Sequence, residues 1–202
     1  MKERFVRATE RAVEKVIFDF QNNSNRYWNE RDIHWNLFYY LKQEGVVQEK
    51  YVTELIRAEF PTLKKFGMGE LNRGHYDLVV IDSKSYRARR VQLMSAQSAW
   101  QPFLEDIRLS IAIEIKLWLA KWSDLKGRVD WDIQKLTKQP NNIGNAFFLN
   151  FVQLDFNRKD TQIYFEKLRD YLIGYKERWP KLRILCVPSE KSILHHPGQN
   201  WL

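Results

Sequence analysis

Three charged residues at two apolar segments have types and a spacing that could bind a cation. Glu114 and Lys116 interrupt the apolar sequence SIAIEIKLW of residues 110–118, and Asp77 begins the apolar run of residues 77–81. Side chains two residues apart in a β-strand emerge on one face, so Glu114 and Lys116 would lie side by side. If the two segments are neighbouring strands, Asp77 and Glu114 lie within about 5 Å of each other. Carboxylates that close repel each other unless a cation lies between them, so the pattern predicts a cation site.

The same residues also have a plain structural interpretation. Glu114 and Lys116 could form an ion pair on the solvated face of an ordinary strand. The second carboxylate, Asp77, follows the sequence Gly-His-Tyr and stands at the mouth of a second apolar strand. That second acidic residue favours the cation site over the solvated ion pair.

The elements that must position these residues alternate along the chain. Apolar periodicity and capping residues predict helices over residues 3–20, 29–44, 128–138 and 160–179, the second one beginning near Asn29 and stopping before Gly45. Strands are predicted over residues 53–60, 77–81, 111–119, 146–154 and 183–187, the first of them ended by Pro61. The pattern predicts one α/β (α+β) domain.

The order helix, strand, strand, strand, helix, strand, with Asp77 on the second strand and Glu114-x-Lys116 on the third, resembles the PD-(D/E)XK nuclease superfamily. The resemblance implies a restriction-endonuclease-like core of about residues 29–154 within a single domain of residues 1–202. In that fold a central mixed β-sheet is flanked by helices in the order α-β-β-β-α-β. An extra N-terminal helix precedes this core, and a helix and a strand follow it in an extension over residues 155–202. Tyr76 stands where the motif's name-giving proline would be.

The resemblance implies an endonuclease that hydrolyses phosphodiester bonds in DNA with Mg²⁺ or Mn²⁺. Asp77, Glu114 and the main-chain carbonyl of Ile115 would bind the ion, and Lys116 would position the attacking water or offset transition-state charge. Glu30 matches a helical glutamate that faces the site in many members, so it is a further catalytic candidate. In the first turn of a helix it could equally serve only the helix dipole. A chain that kept the fold without the activity would be a non-catalytic nucleic-acid-binding or assembly module.

The charge balance favours a polyanionic partner, and the resemblance implies that this partner is DNA. The chain has 33 Lys and Arg against 25 Asp and Glu, a formal net charge of +8. An insertion of about residues 82–109 contains Arg87, Arg89 and Arg90, and the helix after the third strand carries Gln134 and Lys135, which could reach the scissile phosphate. Each basic group could equally be ordinary solvated surface. The insertion could contact DNA, act as the arm of a homodimer or form a plain long hairpin, and the sequence leaves these open.

Two further features bound the class of protein. The single cysteine, Cys186, lies in the apolar run ILCV of residues 184–187, which predicts a buried thiol and allows no internal disulfide. This pattern favours a reducing, cytoplasmic location. The N-terminal sequence is charged throughout, unlike a signal peptide, and no stretch approaches the ~20 apolar residues of a membrane span, so no membrane partner is expected.

Overall fold

The computed structural model describes residues 2–45, 55–65, 73–88, 107–118, 125–137, 143–154, 159–189 and 201–202 of the 202-residue chain. The main helices in these ranges are α1 (Lys2–Asn22), α2 (Glu30–Gln43), α3 (Leu125–Thr137) and α4 (Lys159–Arg178). The strands are β1 (Ile56–Lys65), β2 (Arg73–Ile81), β3 (Leu109–Trp118), β4 (Ala146–Val152) and β5 (Leu182–Pro188). A short helical segment occupies residues 83–88. None of the described helices is long and apolar enough to cross a membrane.

The five strands form one mixed sheet in the order β1-β2-β3-β4-β5. The first three strands pair antiparallel, whereas β3, β4 and β5 pair parallel. Parallel neighbours need a crossover connection, and the chain supplies α3 between β3 and β4 and α4 between β4 and β5. The predicted mixed sheet with flanking helices is confirmed, as is the predicted pairing of the strands that carry Asp77 and Glu114.

The first strand does not end where the sequence predicted. Pro61 was expected to terminate it, but β1 continues to Lys65, and Pro61 lies opposite His75 of β2. β1 lies at the edge of the sheet, and an edge strand tolerates the missing N–H of a proline because one of its sides has no partner strand. Within β1, Glu59 has a φ of 52°, in the left-handed region that non-glycine residues rarely adopt.

The start of α2 is fixed by the predicted N-cap. The side chain of Asn29 accepts a hydrogen bond from the N–H of Arg31, at 2.8 Å, while Asp32 accepts one from the N–H of Asn29, at 3.0 Å. This reciprocal arrangement is a capping box, which satisfies N–H groups that the first helical turn leaves unpaired. As a consequence Glu30 lies in the first turn of α2 and His34 one turn further along.

Apolar stripes hold the helices against the sheet. In α2 the buried residues Ile33, Leu37 and Leu41 follow the helical spacing of four, and the helix packs against β2 and β3. In α3 the corresponding stripe contains Val129, Ile133 and Leu136, and this helix packs against β3 and β4. Burying each such side chain fully contributes about 1.5–3 kcal/mol. The two helices therefore flank the strand β3 that carries Glu114.

The central and C-terminal strands complete the core. All seven residues of β4 are buried, which explains why its sequence AFFLNFV is apolar except for Asn150. Cys186 in β5 is buried as predicted, and burial raises the pKa of its thiol to about 12. The last strand belongs to the same sheet as the rest, so part of the predicted C-terminal extension completes the core.

Candidate functional site

The two predicted carboxylate ligands lie on the adjacent strands β2 and β3. Leu78 pairs with Ile113, the last registered pair at this end, and Asp77 and Glu114 are the residues that directly adjoin it on the two strands. At this point the N–H of Ile115 donates a hydrogen bond to Oδ2 of Asp77, at 2.5 Å. The N–H and C=O groups of one strand residue point toward the same neighbouring strand, so the carbonyl of Ile115 also lies on the Asp77 side of β3. The structure thus brings together the groups that the sequence nominated as ligands.

Glu114 is fully buried, and its carboxyl group pairs with Lys135 of α3. The ammonium group of Lys135 lies 2.6 Å from Oε2 of Glu114 and 2.9 Å from Oδ1 of Asp132, and it donates to the main-chain carbonyl of His75 at 3.0 Å. The other carboxylate oxygen of Glu114, Oε1, is buried and has no hydrogen-bond partner among the described residues. Buried polar atoms normally have a partner, so this oxygen is suited to accept a cation.

The two opposing carboxyl groups have different electrostatic surroundings. Burial raises the pKa of Glu114 well above its usual value and the nearby Asp77 raises it further, while Lys135 partly offsets both effects. Burial would also raise the pKa of Asp77, but His34, Lys116 and the N–H of Ile115 hold it below its usual value. Asp77 therefore carries negative charge at neutral pH, and a cation beside it would favour ionisation of Glu114 as well.

Lys116 is held by carboxylates of two helices. Its ammonium nitrogen lies 3.1 Å from Oδ2 of Asp132 and 3.7 Å from Oε1 of Glu30, and 17% of its side chain is exposed. Burial would lower the pKa of Lys116, but the surrounding carboxylates, led by Asp132 and Glu30, raise it above its usual value. Lys116 is therefore a permanent cation at neutral pH rather than a proton acceptor.

The plain interpretation of the Glu114-x-Lys116 pattern is wrong. A solvated face would leave Glu114 exposed, whereas its side chain is completely buried. The two residues also have different partners, since Glu114 contacts Lys135 and Lys116 contacts Asp132. The alternation of the strand does place them on one face, as predicted, but that face is covered by α3.

The structure places Lys135 inside the site, not on the surface where we expected it to meet DNA. Only 7% of its side chain is exposed, and its ammonium group is already bound by three acceptors. Gly74 of β2 leaves room for the stem of Lys135, since a Cβ atom at Gly74 would make a tight contact of 3.1 Å with Cδ of Lys135. The hydroxyl of Tyr76 donates to the main-chain carbonyl of Lys135, at 3.1 Å, so the residue at the motif's proline position docks α3 on β2.

The remaining nucleic-acid candidates lie on described helical segments or outside the described residues. Arg87 is exposed in the short helical segment of residues 83–88, whose start is capped by Asp82 through the N–H groups of Lys84 and Ser85. Gln134 is half-buried on α3. Arg89 and Arg90 lie outside the described residues, as does most of the predicted insertion.

Two residues that the sequence analysis did not nominate lie beside Asp77. The Nε2 atom of His34 is 3.5 Å from Oδ2 of Asp77, and the register of β1 on β2 puts Glu59 opposite Asp77. One potential ligand atom from each of these three residues lies within 4.8 Å of the other two. Helical spacing could have revealed His34, which follows Glu30 by four residues on α2. Glu59 could not be found this way, because its position depends on the register of β1.

Comparison with known proteins finds no matching family model, no matching curated protein and no matching solved structure.

Proposed function

We propose that this chain is a metal-dependent nuclease that hydrolyses phosphodiester bonds in DNA on a restriction-endonuclease-like core. The order α2-β1-β2-β3-α3-β4 supports this proposal, because it matches the order that the resemblance implies. The observation that carries it is the buried Oε1 of Glu114, which lacks a hydrogen-bond partner in the described chain and belongs to a carboxyl group close enough to Asp77 and Lys116 for their charges to affect one another. Such a group of residues is suited to a reaction in which a cation and an ammonium group face a phosphate.

The donor atoms fit a hard divalent cation such as Mg²⁺ or Mn²⁺. Asp77 and Glu114 would hold it through carboxylate oxygens and Ile115 through its carbonyl oxygen. An octahedral ion would then have further coordination positions for water and a phosphate oxygen. The unpartnered Oε1 of Glu114 is the atom that most needs such an ion. When bound, the ion would polarise the scissile phosphate and lower the pKa of a bound water.

Lys116 supplies fixed positive charge to the reaction. Its raised pKa keeps the ammonium group protonated, so it stabilises negative charge that develops on the phosphate or the leaving oxygen. Asp132 and Glu30 hold that ammonium group in position from two different helices. The contact of Glu30 with Lys116 favours a role in the site over one limited to the helix dipole, although the glutamate is 38% exposed.

Lys135 acts on Glu114 rather than on DNA. Its ammonium group lies against the buried carboxylate and lowers the cost of ionising Glu114 before a metal arrives. The long-range attraction to DNA then falls to other basic groups, including Arg87, Arg89 and Arg90, in a chain with a net charge of +8. Gln134 is the remaining candidate on α3 for a phosphate contact.

A second candidate function rests on the same ion pairs. Lys135 with Glu114, and Lys116 with Asp132, already balance much of the buried negative charge without a metal. A chain stabilised in that way could bind nucleic acid without cutting it, as a module that retains a nuclease fold.

Cleavage assays distinguish the two functions. We expect purified protein to cut plasmid, linear, single-stranded or branched DNA in the presence of Mg²⁺ or Mn²⁺. Asp77→Asn should abolish cutting, whereas Asp170→Asn, the same substitution at an exposed position of α4, should leave it unchanged. DNA binding without cutting on every substrate would favour the binding module. Neither binding nor cutting would contradict both functions.

A further inference from the structure

The imidazole of His34 carries the second buried polar atom of the site that lacks a hydrogen bond among the described residues. Its Nε2 atom is buried and lacks a hydrogen-bond partner within the part of the chain that the structure describes. The nearest acidic atom, Oδ2 of Asp77, lies 3.5 Å away, which exceeds the 2.7–3.2 Å of a good hydrogen bond. Only 11% of the His34 side chain is exposed, so water is largely kept from this nitrogen. A ring nitrogen 3.5 Å from a carboxylate can pair with it when protonated, and when neutral it can share a cation with it.

Glu59 completes a group of three potential ligands around that position. Ligand atoms of His34, Glu59 and Asp77 all lie within 4.8 Å of one another. Two ligands of an ion with bonds of ~2.1 Å are at most ~4.2 Å apart, so closure onto an ion requires movement of less than about 1 Å. Glu59 is exposed and can make such a movement with its side chain. The three residues come from α2, β1 and β2, so the tertiary fold assembles the group.

The backbone at Glu59 agrees with this arrangement. Glu59 adopts a φ of 52° inside a strand, a conformation that costs a non-glycine residue energy. Glycine would adopt the same conformation without that cost. The glutamate at this position therefore carries a backbone cost that glycine would avoid, and its carboxylate is the group that the site would use.

We propose that His34 and Glu59, together with Asp77, form a nitrogen-containing cation site that binds a first-row transition-metal ion in preference to Mg²⁺. Imidazole is a poor ligand for Mg²⁺ and a good one for transition metals, so the nitrogen of His34 determines the preference. The inference deepens the proposed nuclease function, on which its catalytic meaning rests, because Asp77 belongs to both ligand sets. The inference adds His34 and Glu59 to the proposed ligands Asp77, Glu114 and the carbonyl of Ile115.

Direct Mn²⁺ binding tests the site without any DNA. Pulsed electron paramagnetic resonance of the protein with Mn²⁺ should show coupling to a ¹⁴N nucleus, and calorimetry should show Mn²⁺ binding at least about tenfold more tightly than Mg²⁺. His34→Gln replaces the imidazole nitrogen with an amide that can offer only its carbonyl oxygen to a metal. This variant should remove the coupling and reduce the Mn²⁺ preference by at least about tenfold. His75→Gln is the matched control, since this nearby histidine of β2 is outside the three-residue group. It should change neither result.

Glu59→Gly provides a second variant that does not depend on the folding of His34→Gln. Because glycine relieves the backbone strain, this variant should have a metal-free melting temperature at or above that of the wild type. Its Mn²⁺ affinity should nevertheless fall by at least about tenfold. A Glu59→Gly variant with unchanged Mn²⁺ affinity would overturn the assignment of Glu59.

The inference and the proposed function can fail separately. Wild-type Mn²⁺ spectra without ¹⁴N coupling, or with coupling that survives His34→Gln, would overturn the nitrogen-containing site even if the protein cuts DNA. Equal affinities for Mn²⁺ and Mg²⁺ would do the same. Coupling that depends on His34 in a protein that cuts no DNA would support the metal site and contradict the nuclease.

Discussion

The ammonium group of Lys135 lies 2.6 Å from Oε2 of Glu114, and both side chains are buried. This pair joins α3 to β3 at the residue that the sequence nominated, together with Asp77, as a metal ligand. Removing one member of a buried pair leaves the other charge without compensation, which is the costly way to break such an interaction. The pair therefore links the stability of the fold to the chemistry of the site.

Lys135→Met should strongly destabilise the metal-free protein. The variant leaves Glu114 buried without its cation, and we expect the free energy of unfolding to fall by about 3 kcal/mol. Chemical denaturation measures this loss. Lys126→Met, at an exposed position of the same helix, should change the stability by less than about 0.5 kcal/mol. Equal effects of the two substitutions would contradict the role assigned to Lys135.

Divalent cations should stabilise the wild-type protein. A ligand that binds only the folded state contributes about 2.7 kcal/mol at a concentration 100 times its Kd, so millimolar Mg²⁺ or Mn²⁺ should raise the melting temperature. Asp77→Asn removes one carboxylate from the centre and should reduce the shift. Differential scanning fluorimetry across a metal titration measures both results. A wild-type melting curve that does not move would count against any metal centre here.

The sequence anticipated the parts of the site that depend on local pattern. Strand alternation placed Glu114 and Lys116 on one face, and capping chemistry placed Glu30 at the start of α2. The sequence could not show that α3 covers this face, because the contacts of α3 with Gly74 and with the hydroxyl of Tyr76 form only in the tertiary structure. Lys135 was accordingly expected at the surface.

The sequence of α3 did contain one signal that this helix reaches the site, namely a charged residue on its apolar stripe. Asp132 follows Val129 by three positions and precedes Leu136 by four, so it lies on the buried side of the helix. The fold was easier to predict from the sequence than the site, since helices and strands can be recognised by the periodicity of their apolar residues. The predicted end of β1 at Pro61 was wrong because edge strands accept proline. Whether a strand lies at an edge depends on the assembled sheet and cannot be determined from the strand's own sequence.

Glu44 should make stability depend on pH in the acid range. The cations Lys15 and Arg11, at 2.6 and 2.7 Å, lower the pKa of Glu44 below its ordinary value of 4.5. Their contribution is therefore fully present above about pH 4.5 and is lost as the pH falls through the lowered pKa. Because both cations are substantially exposed, Glu44→Gln should cost only about 0.5–1 kcal/mol at neutral pH.

Denaturation of the wild type and Glu44→Gln at pH 7 and pH 3 measures this effect. The difference in unfolding free energy between the two proteins should shrink at pH 3, and high salt should also shrink it at pH 7. A difference that is the same at both pH values would show that Glu44 acts through packing and not through its charge.

The basic insertion should contribute to DNA affinity and not to turnover. Changing Arg87, Arg89 and Arg90 together to alanine should weaken DNA binding. The slope of log Kd against log salt should become shallower by the contribution of up to about three phosphate contacts. The cleavage rate at saturating DNA should change little. Fluorescence anisotropy over a salt series measures the affinities. A triple variant with wild-type affinity and slope would remove these arginines from the interface.

Single-turnover cleavage by Lys116→Ala at saturating DNA is the most direct test of the proposed nuclease. We expect the rate to fall by about 10²-fold or more, the scale for losing a positioned electrostatic group, while the Kd for DNA stays within about twofold of the wild type. Lys126→Ala is the matched control at an exposed lysine and should cut at the wild-type rate. Circular dichroism and a melting curve establish that both variants are folded. A folded Lys116→Ala protein that cuts DNA as fast as the wild type would contradict the central claim.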